Sequence, residues 1–314
     1  MQRLVTALTL LACGALRAQE IPVFTAAEEY ELTEVVITAR EPRYAAPTTR
    51  DRIGRVWIPV YLDGKGPYRL VLDTGALRSA VTTELVTKMG DVPDLARRVM
   101  LHGATGSAIV PTVTVKSMRV GDLDLQPARM PVVGDVFGGA EGLLGVDGMQ
   151  QHRILIDFRH DYVEVARSKN RRAAAGFSAI RFLPNTADLL IIPVKVGELD
   201  IRAIIDTGAQ STVGNNALRR LLRRQVSRNA GTDKVYGTTG DVQEAMGQRL
   251  KEIRIGDLRI TDPYVAFGDL HIFERWKFAE TPMLLIGMDL LGLVDSLVID
   301  YRRRELQIKP RTRG

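Results

Sequence analysis

One segment of this chain is present twice. YRLVLDTGALRSAV at 68–81 returns as IRAIIDTGAQSTVG at 201–214, which puts Asp73 and Asp206 133 positions apart. Asp-Thr-Gly-Ala is unchanged between them, and Arg69 and Arg202 stand at the same place. Other landmarks keep their order: HGATG (102–106) with YGTTG (236–240), RVGDLDL (119–125) with RIGDLRI (254–260), and GLLGVDGM (142–149) with LLIGMDLL (284–291). ILIDFRHDYVEV (154–165) answers LVIDYRRRELQI (297–308) at an offset that has grown to 143, so the second copy carries extra residues, chiefly around HIFERWKFAE. An internal repeat of this length restricts the fold more than any local pattern, because each copy must be one folding unit and the two must pack as equivalents.

Each unit reads as mainly β. IPVYLDGKGPYRLVLD is an apolar strand, a turn expected at Gly-Lys-Gly-Pro, and a second apolar strand. IIPVKVGELDIRAIID repeats it with Val-Gly-Glu-Leu at the turn. Helical patterning is short, in SAVTTELVTKM and NNALRRLLRRQV, the latter an amphipathic solvated helix. The fold class expected is therefore all-β with short helices, in two pseudo-twofold-related β-barrel lobes with a cleft between them. The domain reading is a signal peptide at 1–18, an arm or propeptide at 19–50, a first lobe at 51–168, a linker at 169–184 and a second lobe at 185–310.

The first residues, MQRLVTALTLLACGALRAQE, place Arg3 before a short apolar run and then small residues, which is a secretory pattern and about half the length of a bilayer span. The protein is accordingly expected to be periplasmic or secreted. Cys13, the single cysteine, sits in a context that loosely matches a lipoprotein box, so a lipid-anchored form is the alternative. A formal charge of +6 comes from scattered arginines without any finger, zipper or aromatic-basic signature, so no nucleic-acid partner is expected. No later stretch is apolar enough to span a membrane.

Asp73 and Asp206 each end a run, Leu-Val-Leu or Ala-Ile-Ile, of the kind buried on both faces of a sheet. Gly75 and Gly208 suit the turn that follows, and Thr74 and Thr207 offer hydroxyls for internal bonds. Two such turns about a pseudo-twofold axis bring the aspartates face to face, where they share one proton and can hold and deprotonate a water. The four histidines show no paired ligand spacing, and there is no Gly-x-Ser-x-Gly elbow or phosphate loop, so neither metal nor organic cofactor is expected.

The chain resembles the aspartic protease superfamily, in particular its retropepsin-like branch. The residues that carry the likeness are LVLDTGA and AIIDTGA, HGATG and YGTTG, and GLLGVD and LIGMDLL, within roughly residues 55–310. The resemblance implies a dyad of Asp73 and Asp206, braced by Thr74 and Thr207, with Gly75 and Gly208 supplying N–H groups. It implies flaps around Gly103, Thr105 and Gly106 and around Tyr236, Gly237 and Gly240, closing over an extended peptide. It also implies that the apolar-apolar-Gly element packs beneath each catalytic loop and precedes a short helix. Both units lie in one chain, so an aspartic endopeptidase acting as a monomeric intramolecular pseudodimer on protein or peptide substrates is expected. Ala76 and Ala209 follow the retroviral pattern and remove a hydroxyl that could stabilise the ionised pair, which implies a less acidic pH optimum than that of a gastric enzyme. The alternative is an inactive peptide-binding or scaffold protein that keeps the fold.

Overall fold

The computed structural model describes residues 44–47, 54–120, 123–126, 128–185, 188–222, 231–236 and 242–311; of these, 44–47, 128, 231–234 and 236 are described by backbone alone. The expected signal peptide, Cys13 and most of the 19–50 arm lie outside the described residues.

The protein is all-β with short helices, built from two copies of one nine-stranded sheet and a third sheet that the copies share. In the first lobe the strands are β2 (Trp57–Leu62), β3 (Lys65–Leu72), β4 (Ala80–Thr82), β5 (Asp94–His102), β6 (Ser107–Val115), β7 (Met118–Val120), β8 (Leu123–Leu125), β9 (Ala128–Val133) and β10 (Gly142–Leu144), after β1 (Tyr44–Pro47). Their order across the sheet is β5-β6-β9-β4-β10-β3-β2-β7-β8. Then come β11 (His152–Asp157), β12 (Tyr162–Arg167) and β13 (Ser178–Arg181). The second lobe holds β14 (Ile191–Val196), β15 (Leu199–Ile205), β16 (Val213–Gly214), β17 (Gly231–Tyr236), β18 (Val242–Arg249), β19 (Glu252–Ile255), β20 (Leu258–Thr261), β21 (Tyr264–Phe267) and β22 (Met283–Ile286). Its order, β17-β18-β21-β16-β22-β15-β14-β19-β20, reproduces the first strand for strand.

The copies meet in a six-stranded sheet of order β1-β12-β11-β23-β24-β13, where β23 is Ser296–Asp300 and β24 Glu305–Lys309. β11 pairs antiparallel with β23, Leu155 opposite Val298, so a backbone ladder joins the halves at the centre of the molecule. The repeat reaches further than the sequence landmarks show. β1, inside the 19–50 segment, edges this sheet as β13, inside the 169–184 segment, edges it on the other side. Edge strands of four residues carry too few alternating positions to stand out as strands in sequence. One buried apolar cluster runs from Ile58, Leu72 and Leu144 through Ile154 and Ile299 to Ile205 and Ile286, so the two lobes share a core.

The β2–β3 turn falls at Asp63–Gly64, with φ of 47° and 77°, and not at Gly-Lys-Gly-Pro as expected. A two-residue hairpin loop in which both residues take positive φ favours Asp-Gly, and the residues after it are free to enter β3. The first helix, α1 (Thr83–Met89), is capped by Thr82, whose hydroxyl accepts from Leu85 N–H, and ends at Gly90. Its counterpart α2 (Asn216–Leu221) is capped by Asn215. Among the described residues two helices occur in the second copy alone, α3 (His271–Arg275) and α4 (Met288–Leu291). α4 follows the apolar-apolar-Gly element as expected, whereas the first copy makes only turns there.

Candidate active site

Leu70, Val71 and Leu72 at the end of β3, and Ala203, Ile204 and Ile205 at the end of β15, are all buried. β10 lies parallel to β3 and β22 parallel to β15, and each carries the chain past the loop that follows its neighbour. At the loop entrances Asp73 N–H donates to Leu144 O and Asp206 N–H to Ile286 O, both at 3.0 Å. The aspartates thus leave the two central β-ladders in the same way.

Each carboxylate is gripped by its own turn. Asp73 Oδ1 accepts from Gly75 N–H (2.9 Å) and Ala76 N–H (3.0 Å); Asp206 Oδ1 accepts from Gly208 N–H (2.9 Å) and Ala209 N–H (3.1 Å). The loops then lock to each other. Thr74 Oγ1 donates to Ile205 O (2.8 Å) and accepts from Thr207 N–H (3.1 Å), while Thr207 Oγ1 donates to Leu72 O (2.7 Å) and accepts from Thr74 N–H (3.1 Å). Both threonines are buried, so these four bonds are shielded from water. Glycine is required at 75, because a Cβ there would stand 2.5 Å from Asp206 Oδ2, and Gly208 faces the Asp73 carboxyl in the same manner.

The structure therefore brings the Asp73 and Asp206 carboxyls together, each lying against the glycine of the other's loop. Burial pushes the Asp73 carboxyl well above the usual range, and the charge of Asp206 adds to this against the pull of Gly75 N–H. Asp206 is also raised by burial, with Gly208 and Ala209 N–H opposing. Two contacting carboxyls in a desolvated setting retain a proton between them, which leaves one acid and one base side by side.

Beneath each loop lies a brace that sequence reasoning missed. Asp147 Oδ1 accepts from Ser79 N–H (2.9 Å) and Ser79 Oγ (2.7 Å). Asp289 accepts likewise from Thr212 N–H (2.9 Å, Oδ2) and Thr212 Oγ1 (2.7 Å, Oδ1), and the same two hydroxyls accept from Gly145 N–H and Gly287 N–H. Burial raises the Asp289 carboxyl. A signal was present, since Ser79 and Thr212 keep the 133-residue offset and both aspartates follow the apolar-apolar-Gly element by two positions.

The segment expected to form the first flap is the β5–β6 hairpin. Its tip is closed by a bond from Gly103 N–H to Gly106 O (2.8 Å), and Thr105 is buried. In the second copy Tyr236 ends β17 and its side chain is not described, while Gly237 and Gly240 lie outside the described residues. A cavity of about 480 Å³ opens on the first lobe, lined among others by Leu77, Arg78, Arg129 and Asp147; neither Asp73 nor Asp206 lines it. Among the described residues no cluster of three or more metal-ligating side chains occurs, and no helix is long and apolar enough to cross a membrane.

Two equivalent lobes, each presenting Asp-Thr-Gly to the other through reciprocal threonine bonds, define a bilobal aspartic protease fold. The chain belongs to the Aspartyl protease family, which it matches over residues 58–147 and 192–290, once in each lobe. Among solved structures it is similar to conglutin gamma, described as a unique basic 7S globulin from lupine seeds, with a TM-score of 0.50 and 9% identity over 87% of this chain and 96% of that one. At that identity the likeness bears on fold alone. A search of curated proteins returned no match.

Proposed function

We propose that the protein is an exported aspartic endopeptidase, active as a single chain, that hydrolyses peptide bonds with a water held between Asp73 and Asp206. The observation that carries this reading is the carboxyl pair itself, in contact, desolvated and held by loops that lock to one another. The ionised carboxylate removes a proton from the water as its oxygen attacks the peptide carbonyl, and the protonated partner donates to the carbonyl oxygen. The tetrahedral intermediate then collapses as the carboxyl that took the water's proton gives it to the leaving nitrogen and a hydroxyl of the intermediate returns its proton to the ionised partner, which leaves one proton on the pair. No covalent enzyme intermediate forms.

An inert scaffold has no use for two buried carboxyls in contact, which cost stability at neutral pH. The N-terminal secretory pattern supports a periplasmic or secreted setting, with the lipid anchor at Cys13 as the variant form. Since Ala76 and Ala209 offer only backbone N–H to the carboxylates, the ionised pair lacks a hydroxyl donor, and activity is expected to peak well above pH ~2, the region of the lower carboxyl titration in gastric enzymes. A peptide library assayed with wild type, Asp73→Asn and Asp206→Asn tests the mechanism. Both variants are expected to stay folded and lose cleavage by a factor of at least ~10³; cleavage that survives either change rules out a shared dyad.

A further inference from the structure

The extra residues of the second copy form α3, and the flap of the first lobe docks on it. Ile272 N–H donates to Ala104 O at the flap tip (3.2 Å). Beside this contact Ser107 Oγ, at the base of the tip, lies 2.6 Å from His102 Nδ1 and 2.7 Å from His271 Nε2. The two rings stack with centroids 6.0 Å apart and planes at 26°. His271 is itself held by its backbone N–H, which donates to Gln243 Oε1 on β18 (3.3 Å). Two hydrogen bonds and one ring stack thus tie the tip of one lobe to an insertion in the other.

A serine hydroxyl has one proton to give, so with neutral rings it accepts from one imidazole N–H and donates to the bare nitrogen of the other. Protonating both rings removes that acceptor and places two cations in a stack. The other charge bearing on His102 is Arg275, in the last turn of α3, which together with His271 adds to burial in lowering the His102 pKa. Glu274 is the remaining charged residue of α3, and Glu244 follows Gln243 onto the opposite face of β18. Among the described residues neither imidazole has a carboxylate within ion-pair distance, so nothing on these elements compensates a second positive charge.

We propose that His271 is a positioning residue: through Ser107 it latches the first flap onto the second lobe while the imidazoles are neutral, and releases it when they protonate. The function of the latch, holding a peptide over the dyad, rests on the protease reading; its existence does not. The docked flap binds fewer protons than the free one, so docking is favoured above the ordinary imidazole pKa of about 6.5 and is lost as pH falls through that value.

The test is hydrogen exchange at the Ile272 amide in the full, substrate-free chain, expressed as protection relative to the unstructured rate at each pH. One linked proton lowers protection about tenfold between about pH 7.5 and about pH 5.5. His271→Gln keeps a donor and an acceptor but does not titrate, and its protection is expected to stay level over that range. Ser107→Ala is expected to be poorly protected throughout. Wild-type protection that does not change with pH, a His271→Gln profile that falls in parallel with wild type, or a Ser107→Ala variant protected as well as wild type would each overturn the latch. In peptide cleavage the acid limb of kcat/KM is expected to move to lower pH in His271→Gln. If no peptide is cleaved by any form, the protease reading fails while the exchange result still decides the latch.

Discussion

Asp73 and Asp206 are each supplied with two backbone N–H groups, yet both carboxyls are held above their ordinary range because burial outweighs those donors. A carboxyl raised in the folded state binds its proton more tightly there than in the unfolded chain. Its stabilisation is therefore complete below the unfolded value of about 3.9 and is lost as pH rises through the folded value. Asp73→Asn removes that loss. Thermal unfolding should show the variant more stable than wild type by a few degrees at neutral pH, with the gap closing as pH is lowered towards the unfolded value; a variant less stable at neutral pH would contradict the raised dyad. At this scale the sequence was highly legible. Asp73 and Asp206 stood out because the same four residues recur behind two apolar runs, and Gly75 and Gly208 as turn residues, although neither takes a positive φ and it is the opposite carboxyl that leaves no room for a side chain there.

The elements that carry those residues depend on partners far along the chain. The second Asp-Thr-Gly loop is held from below by Asp289, at the start of α4, which accepts from both the backbone N–H and the hydroxyl of Thr212. Asp289→Ala leaves two buried donors without an acceptor, and an unmet buried hydrogen-bonding group costs about 1–3 kcal/mol. Denaturant unfolding should register a loss of that order, and kcat should fall with it because the loop presenting Asp206 is no longer held; an unchanged unfolding midpoint would show that the brace contributes little. These braces escaped the sequence reading because nothing local marks Ser79 for Asp147, 68 positions away, or Thr212 for Asp289, 77 positions away. The β2–β3 turn was misplaced for the opposite reason. Gly66 and Pro67 drew attention as turn residues, but the two consecutive positive φ angles fall at Asp63 and Gly64.

For the whole molecule the decisive feature is the six-stranded sheet. β11 of the first half pairs with β23 of the second, so each half alone would expose a full strand edge and part of a shared apolar core. Halves divided within residues 169–177 and produced separately are expected to be inactive and to self-associate, and mixing them should restore cleavage and the size of the intact chain. Size-exclusion chromatography with a peptide assay checks this; a first half that is monomeric and well folded by itself would contradict the shared core.

The duplication, the mainly β character and the two aspartates follow from residue order, because a repeat, an alternation of apolar runs with turns and a conspicuous Asp-Thr-Gly are all properties of neighbours along the chain. The reciprocal threonine bonds, the desolvation that lifts both carboxyls and the meeting of His102, Ser107 and His271 belong to the folded molecule. Each depends on groups more than 100 residues apart being brought within hydrogen-bond reach, and on water being excluded there. Burial and long-range contact arise only when the two copies pack.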